Sequence, residues 1–322
     1  MGDGIGAAGA EPAVEGYVSL MASLALGIVT PALHMNPRFD PPEWEVTASV
    51  DDVVGVVQNA ERLGYDWVAC SEHIAIPSAA STVRGGRYFD PFSTLGFFAA
   101  KTSQIGLLTH MTVLPYHHPL ELVKRLGTLD VLSGGRIIAG VGVGSLQPEF
   151  AVLGHAFDGR GERSDDAIRA IRAAWGQRVP EYHGTHYDFE GFIVEPSGLP
   201  RELDVWVGGR TRRSLRRAAE LGDAWMPFGF TLDQLTELLT DPRVRETLAA
   251  RAATGRPLKL VLAPEPPIDP LAEPEQTTAF LAAYVALGAT GLSVRFDHHS
   301  LSHYCEQMAA LQSAVRTAGW SS

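Results

Sequence analysis

The stretch LSGGRIIAGVGVGSLQPEF, Leu132 to Phe150, decides how the chain is read. Just upstream, Leu122, Leu126, Leu129 and Leu132 recur at helical spacing, and the helix they predict stops at Gly134-Gly135, where a left-handed residue ends a helix cheaply. Arg136 to Val141 then reads as a short strand buried on both faces, ending in the alternating glycines Gly140, Gly142 and Gly144. Glycine at the carboxyl end of a parallel strand lets backbone approach a flat ligand closely. That end is where α/β folds keep their chemistry. A dinucleotide fingerprint is the competing reading. It fails on spacing, because the glycines run G-x-G-x-G and Gln147-Pro148-Glu149-Phe150 does not open a long helix directly. A purely structural tight turn stays open as the plainer alternative.

Outward from this strand the chain alternates strand and helix. Strand Ala25–Thr30, helix Val50–Leu63, strand Asp66–Ser71, helix Pro91–Thr102, strand Ile105–His110 and a helix opening at Pro119 precede it. After it, Ser164 is expected to cap a helix with Asp165 and Asp166 in the first turn, and Ile168, Ile171 and Trp175 on one face. Strand Leu203–Val207, helix Thr211–Leu221, strand Asp223–Met226, a helical stretch Leu232–Ala253, strand Pro257–Ala263, helix Pro274–Leu287, strand Gly291–Phe296 and helix Leu301–Ala318 follow. Eight such units predict an α/β fold, a (β/α)8 TIM barrel over residues 25–322, with an excursion between strands 4 and 5 around His183 to Glu195. Residues 1–24 read as a flexible tail. The apolar run Tyr17 to Leu33 lacks the basic flank of a signal peptide, since no Lys or Arg precedes Arg38.

Composition narrows the function. With 26 basic against 37 acidic residues the net charge is −11, which argues against nucleic acid or an anionic membrane as the main partner. Two cysteines, Cys70 and Cys305, supply neither a disulfide framework nor a cysteine zinc site, so a reducing cytoplasm fits. His298, His299 and His303 invite a metal reading, but no glutamate completes an H-E-x-x-H pattern, and they read as a solvated surface; no metal is expected.

Three strand ends carry candidate chemistry. Strand two ends in Ser71-Glu72-His73, where a histidine beside a carboxylate can donate or accept a proton; a plain loop histidine is the alternative. Strand three ends in Thr109-His110-Met111-Thr112. Strand five runs into Gly208-Gly209-Arg210-Thr211 and a helix, an arrangement of free N–H groups and helix dipole that favours phosphate. Arg212, Arg213, Arg216 and Arg217 add positive charge there, or form a solvated helix face.

These residues together resemble the bacterial-luciferase-like superfamily of flavin and deazaflavin barrel enzymes, particularly the branch using coenzyme F420. The resemblance runs from about Leu26 to Phe228. It is clearest in Glu61-Arg62-Leu63-Gly64-Tyr65-Asp66, Ser71-Glu72-His73, Leu132-Ser133-Gly134-Gly135-Arg136, Gly140 to Gly144, Phe189-Glu190-Gly191, Val207-Gly208-Gly209 and Leu221-Gly222-Asp223-Ala224-Trp225. It implies that His73 lies beside the deazaflavin ring as the catalytic proton donor or acceptor, assisted by Glu72. It further implies a non-proline cis peptide at Thr109-His110, with Thr112 nearby, behind the ring. Gly142, Val143, Gly144 and Ser145 would line the ring edge, and Gly208, Gly209, Arg210 and Thr211 would hold the phosphate. Ser145 departs from the Trp that relatives often carry, which puts the substrate in doubt, and His110 is bulkier than the small residues often seen there. The implied activity is hydride transfer between the deazaflavin and a small organic substrate. A monooxygenase using reduced FMN and O₂, or a flavin-binding protein without turnover, are the alternatives. A homodimer is implied by the resemblance alone.

Overall fold

Short strands that are apolar at most positions have to be covered on both faces, and a barrel wrapped in helices does this. The computed structural model describes residues 24–37 and 40–320. Its eight barrel strands are β1 Ala25–Val29, β2 Trp67–Cys70, β3 Gly106–Thr109, β4 Ile137–Gly142, β5 Val205–Gly208, β6 Ala224–Met226, β7 Lys259–Leu262 and β8 Gly291–Val294. Each pairs in parallel with the next, and β1 pairs with β8 in the register Ala25↔Gly291, which closes the barrel. The main helices between and after them are α1 Val50–Leu63, α2 Pro91–Ala99, α3 Pro119–Ser133, α4 Arg160–Ala174, α5 Arg212–Leu221, α6 Leu232–Thr240, α7 Pro242–Ala252, α8 Pro274–Ala286 and α9 Leu301–Thr317. The expected TIM barrel is therefore the observed fold. Of the expected tail, residues 1–23 lie outside the described residues, and Leu24 N–H donates to the Trp320 carbonyl at 2.7 Å.

The barrel interior is built on two tryptophans. Trp67 of β2 and Trp206 of β5 meet edge to face, 4.9 Å between centroids. Gly27 of β1 makes room for the first of them, because a Cβ there would fall 2.0 Å from the Trp67 ring. Outside the strands, Leu122, Leu126 and Leu129 of α3 are all buried against the barrel, but Leu132 is 67% exposed, so the apolar stripe ends one turn earlier than its spacing predicts.

Two helix boundaries differ from expectation. α4 begins at Arg160 after Gly159 (φ 69°), and no side chain caps it. Ser164 lies inside the helix, its hydroxyl donating back to the Arg160 carbonyl at 2.7 Å. The stretch 232–253 divides into α6 and α7 at Asp241, whose carboxylate accepts from Arg243 N–H, while Pro242 takes the first helical position where no N–H is needed. The expected excursion is an antiparallel hairpin, Tyr182–His183 against Asp188–Phe189. Asp166 of α4 anchors it by accepting from the Tyr182 hydroxyl and the His186 N–H, both at 2.6 Å.

The alternating glycines have a different first task from the one their spacing suggested. After β3 the chain leaves the ladder and re-pairs as Thr112–Val113 beside β4, so His110 and Met111 form a wedge between the strands. A Cβ on Gly140 would meet the Thr109 carbonyl oxygen at 1.8 Å, one on Gly142 the Met111 Cβ at 3.2 Å, and one on Gly208 the Met111 Cγ at 2.6 Å. Gly142 and Gly208 accommodate the chain's own wedge, and Gly140 the strand that leads into it. The cis peptide lies at His110-Met111, not at Thr109-His110. His110 N–H still donates to the Cys70 carbonyl at 2.8 Å, so the ladder runs through His110 and the departure comes one bond later.

Gly140→Ala is expected to cost about 3 kcal/mol or more, because backbone on a neighbouring strand has to move. Gly55→Ala, in mid α1 with nothing within 4 Å of its Cβ position, is expected to add about 0.5–1 kcal/mol. Urea denaturation of both variants checks the contrast.

Candidate active site

The strand ends open into a cleft of about 790 Å³. It gathers His73 from β2, His110 and Met111 from the wedge, Gly142 to Ser145 from β4, and Gly208 to Thr211 from β5. Two expected residues stay behind its wall. Thr109 is fully buried and its hydroxyl ties β3 to β4 through the Gly140 carbonyl at 2.8 Å; Thr112 is 1% exposed.

His73 is held by a residue that the sequence reading passed over. Glu149, in the short helix Gln147–Val152 after β4, is completely buried. Its Oε2 lies 2.7 Å from His73 Nδ1 and accepts from the Tyr116 hydroxyl at 3.0 Å, while Oε1 accepts the N–H groups of Ile74 at 2.6 Å and Ala75 at 3.0 Å. Burial pushes this carboxyl up, but the hydrogen bonds from His73, Ala75 and Ile74 outweigh it and hold it below the usual carboxylate range. An ionised Glu149 requires a proton on Nδ1. That leaves Nε2 without a protein hydrogen bond among the described residues, on a partly exposed ring that lines the cleft, with Tyr88 packed edge-on at 4.6 Å between centroids. Burial and the Glu149 charge raise the Tyr116 hydroxyl, which stays a donor.

Glu72 is placed differently from the expected assistant of His73. Although it reaches the cleft wall, its Oε2 accepts from Val113 N–H at 2.6 Å and its Oε1 meets His117 Nε2 at 2.8 Å. Both side chains of that pair are buried. Glu72 braces the segment that follows the wedge, and the acid on His73 is Glu149.

At the other end of the cleft two helix starts converge. α5 is capped by Thr211, whose hydroxyl accepts from Ser214 N–H at 3.1 Å. The uncapped start of α4 contributes Gly159, Arg160 and Gly161 to the same wall. Arg160 stacks on Phe157 at 3.6 Å and donates to the Gly144 carbonyl. The α5 arginines are largely spent: Arg212 pairs with Asp241, Arg216 with Glu220, and Arg217 with Asp165. Arg213, which lines the cleft, pairs with no described carboxylate. Unspent N–H groups of two helices beside a guanidinium suit a phosphate, so the anion end involves α4 as well as the expected Gly208 to Thr211. The residues present therefore fit a group with a flat ring and a phosphate arm.

Two of the cleft's histidines are held neutral by their surroundings. Burial first, then Arg295, holds His34 at about 3 and His110 at about 4. His298, expected on a solvated surface, is mostly buried: Trp44 Nε1 donates to its Nδ1 at 3.0 Å, and Glu45 Oε1 lies 3.2 Å from its Nε2. Among the described residues one exposed group, Glu181, His183 and Glu190 on the hairpin, has metal-ligand spacing, and it lies outside the cleft lining.

A histidine held neutral in the fold still takes up a proton when unfolded, near the ordinary 6.5. Stability from His34 and His110 is thus complete above about pH 6.5 and is lost as pH falls toward 4. The urea midpoint is expected to drop between pH 7 and pH 5, and His110→Asn to flatten that slope. An unchanged slope in the variant would remove His110 from the account.

The family model for luciferase-like monooxygenases matches residues 26–317. An uncharacterised protein of Mycobacterium tuberculosis is 30% identical over 228 residues, covering 66% of this chain and 79% of that one. The FMNH2-dependent dimethylsulfone monooxygenase of Pseudomonas putida is 30% identical over 146 residues, 44% of this chain and 39% of that protein. In structure, an F420-dependent secondary alcohol dehydrogenase in complex with an F420-acetone adduct aligns with a TM-score of 0.61 at 15% identity, covering 92% of this chain and 84% of that one, a likeness of fold. With nearly the whole barrel matched, the chain belongs to the luciferase-like monooxygenase family.

Proposed function

We propose that this member of the family is an oxidoreductase that moves hydride between a deazaflavin, coenzyme F420, and a small organic substrate. The observation that carries the reading is His73, fixed through Nδ1 by buried Glu149 on a ring that lines the cleft. When bound, the cofactor supplies the hydride donor or acceptor. His73 Nε2 supplies or takes the proton that accompanies the hydride, and Glu149 stabilises the charged ring. Met111 and Gly142 to Ser145 would border the ring, while Arg213, Thr211 and the starts of α4 and α5 would hold the phosphate. Reduced FMN is the second reading. It is favoured by the paired state of Arg212, Arg216 and Arg217, which leaves little free positive charge on α5 for the carboxylate-bearing tail of the deazaflavin. We extend the proposal to a homodimer, supported by the exposed apolar residues Phe97 of α2 and Val131 and Leu132 of α3, two helices that pack together.

Fluorescence titrations of FMN and the deazaflavin at low and high salt are expected to give tighter deazaflavin binding that weakens as salt rises. Micromolar FMN binding with none of the deazaflavin promotes the monooxygenase. His73→Ala is expected to lower turnover by about 10²-fold with a smaller change in cofactor affinity. Glu149→Gln should lower turnover in the same direction. Arg213→Ala should weaken cofactor binding by about tenfold, with saturated turnover little changed.

A further inference from the structure

Beyond the main cleft, and sharing its wall, lies a second lobe of about 570 Å³. It sits over the ends of β1, β7 and β8, whereas His73 and the glycines sit over β2 to β5. His110 and Phe228, edge to face at 6.2 Å between centroids, form the divide. Arg84, Arg210 and Arg295 line both spaces, and Glu265 is the one carboxylate among the described residues of the lobe. This is a positive chamber in a chain of net charge −11.

Two polar atoms in its wall have no partner. Ser293 of β8, 2% exposed, has an unsatisfied hydroxyl, and His110 has an unsatisfied buried Nδ1. A buried polar atom left open at a cavity wall is available to a ligand or a water. Beside the polar Asn36 and Thr82, the wall has an apolar part made by Val29, Val83, Ala263, Pro264 and Phe228. An inorganic anion has no use for such a surface. A hydrocarbon body ending in an oxyanion uses both parts.

We propose that the second lobe takes an organic acid, its oxyanion held by Arg84 and Arg295 with Ser293 donating, and its hydrocarbon part lying along Phe228. Calling that acid the substrate rests on the oxidoreductase reading; its binding in the lobe does not. Ser293 and His110 each bring an open polar atom to this wall.

The test is calorimetric titration of the purified protein with hexanoate, hexanesulfonate and phenylacetate, against hexanol and 2-phenylethanol. The acids are expected to saturate one site and to bind at least about tenfold more tightly than the matched alcohols. Arg84→Gln, on a short surface helix, and Arg295→Gln should each weaken the acids by about tenfold while leaving the alcohols unchanged. If Arg295→Gln does not fold, Arg84→Gln and Ser293→Ala decide. A carboxylate preferred over the sulfonate, or the reverse, names the acid group. Equal binding of acids and alcohols, no saturable acid binding, or acid affinity unchanged in the variants overturns the proposal. One-for-one displacement of hexanoate by FMN overturns it too, because the acid would then occupy the phosphate end. Acid binding that follows these expectations in a protein that binds neither FMN nor the deazaflavin supports the lobe and removes the oxidoreductase reading instead.

Discussion

A carboxylate sealed from water at the rim of a barrel stays ionised only if it collects enough donors, and Glu149 collects four. They come from the loops after β2 and β3, while Glu149 itself follows β4. Three consecutive strand ends are thereby tied to one pair of oxygen atoms. Glu72 joins a second pair of segments, accepting from Val113 N–H in the re-paired stretch beside β4 and meeting the ring of His117. The loops that carry His73 and Tyr116 are therefore positioned by buried charge as much as by apolar packing. Losing either acid would leave several donors unpaired at once.

The wedge of His110 and Met111 is the second constraint. It exists because β4 and β5 present glycines opposite it, and it carries His110 to the divide between the two spaces. One local irregularity thus shapes both sides of the cleft. Residues on the neighbouring strands that never touch a ligand decide its outline.

How much of this was legible in the sequence follows from the range of each interaction. The eight strands could be read because each is a short apolar run between amphipathic helices, and such patterns are local. The placement of His73, Gly142 to Ser145 and Gly208 to Thr211 on one cleft follows from the barrel, since all lie at the same end of their strands. Glu149 was hidden although it stood inside the decisive stretch. Its role depends on a loop 75 residues away in sequence, and one acid in Gln147-Pro148-Glu149-Phe150 resembles an ordinary solvated side chain. The start of α4 was misplaced for a related reason. Ser164-Asp165-Asp166 has the chemistry of a cap, while the true boundary, Gly159, has no side chain to announce it. His298 looked solvated because Trp44, which meets it, is 254 residues distant.

The paired indoles inside the barrel have a spectroscopic consequence. Trp67 and Trp206 belong to β2 and β5, which are not neighbours, so their contact at 4.9 Å exists only while the sheet is closed on itself. Two chromophores locked nearly at right angles in an asymmetric interior give a near-ultraviolet dichroic signal that a loosened core with intact helices loses. The molecule thus contains its own optical gauge of barrel closure, separable from the helical signal of the surrounding layer.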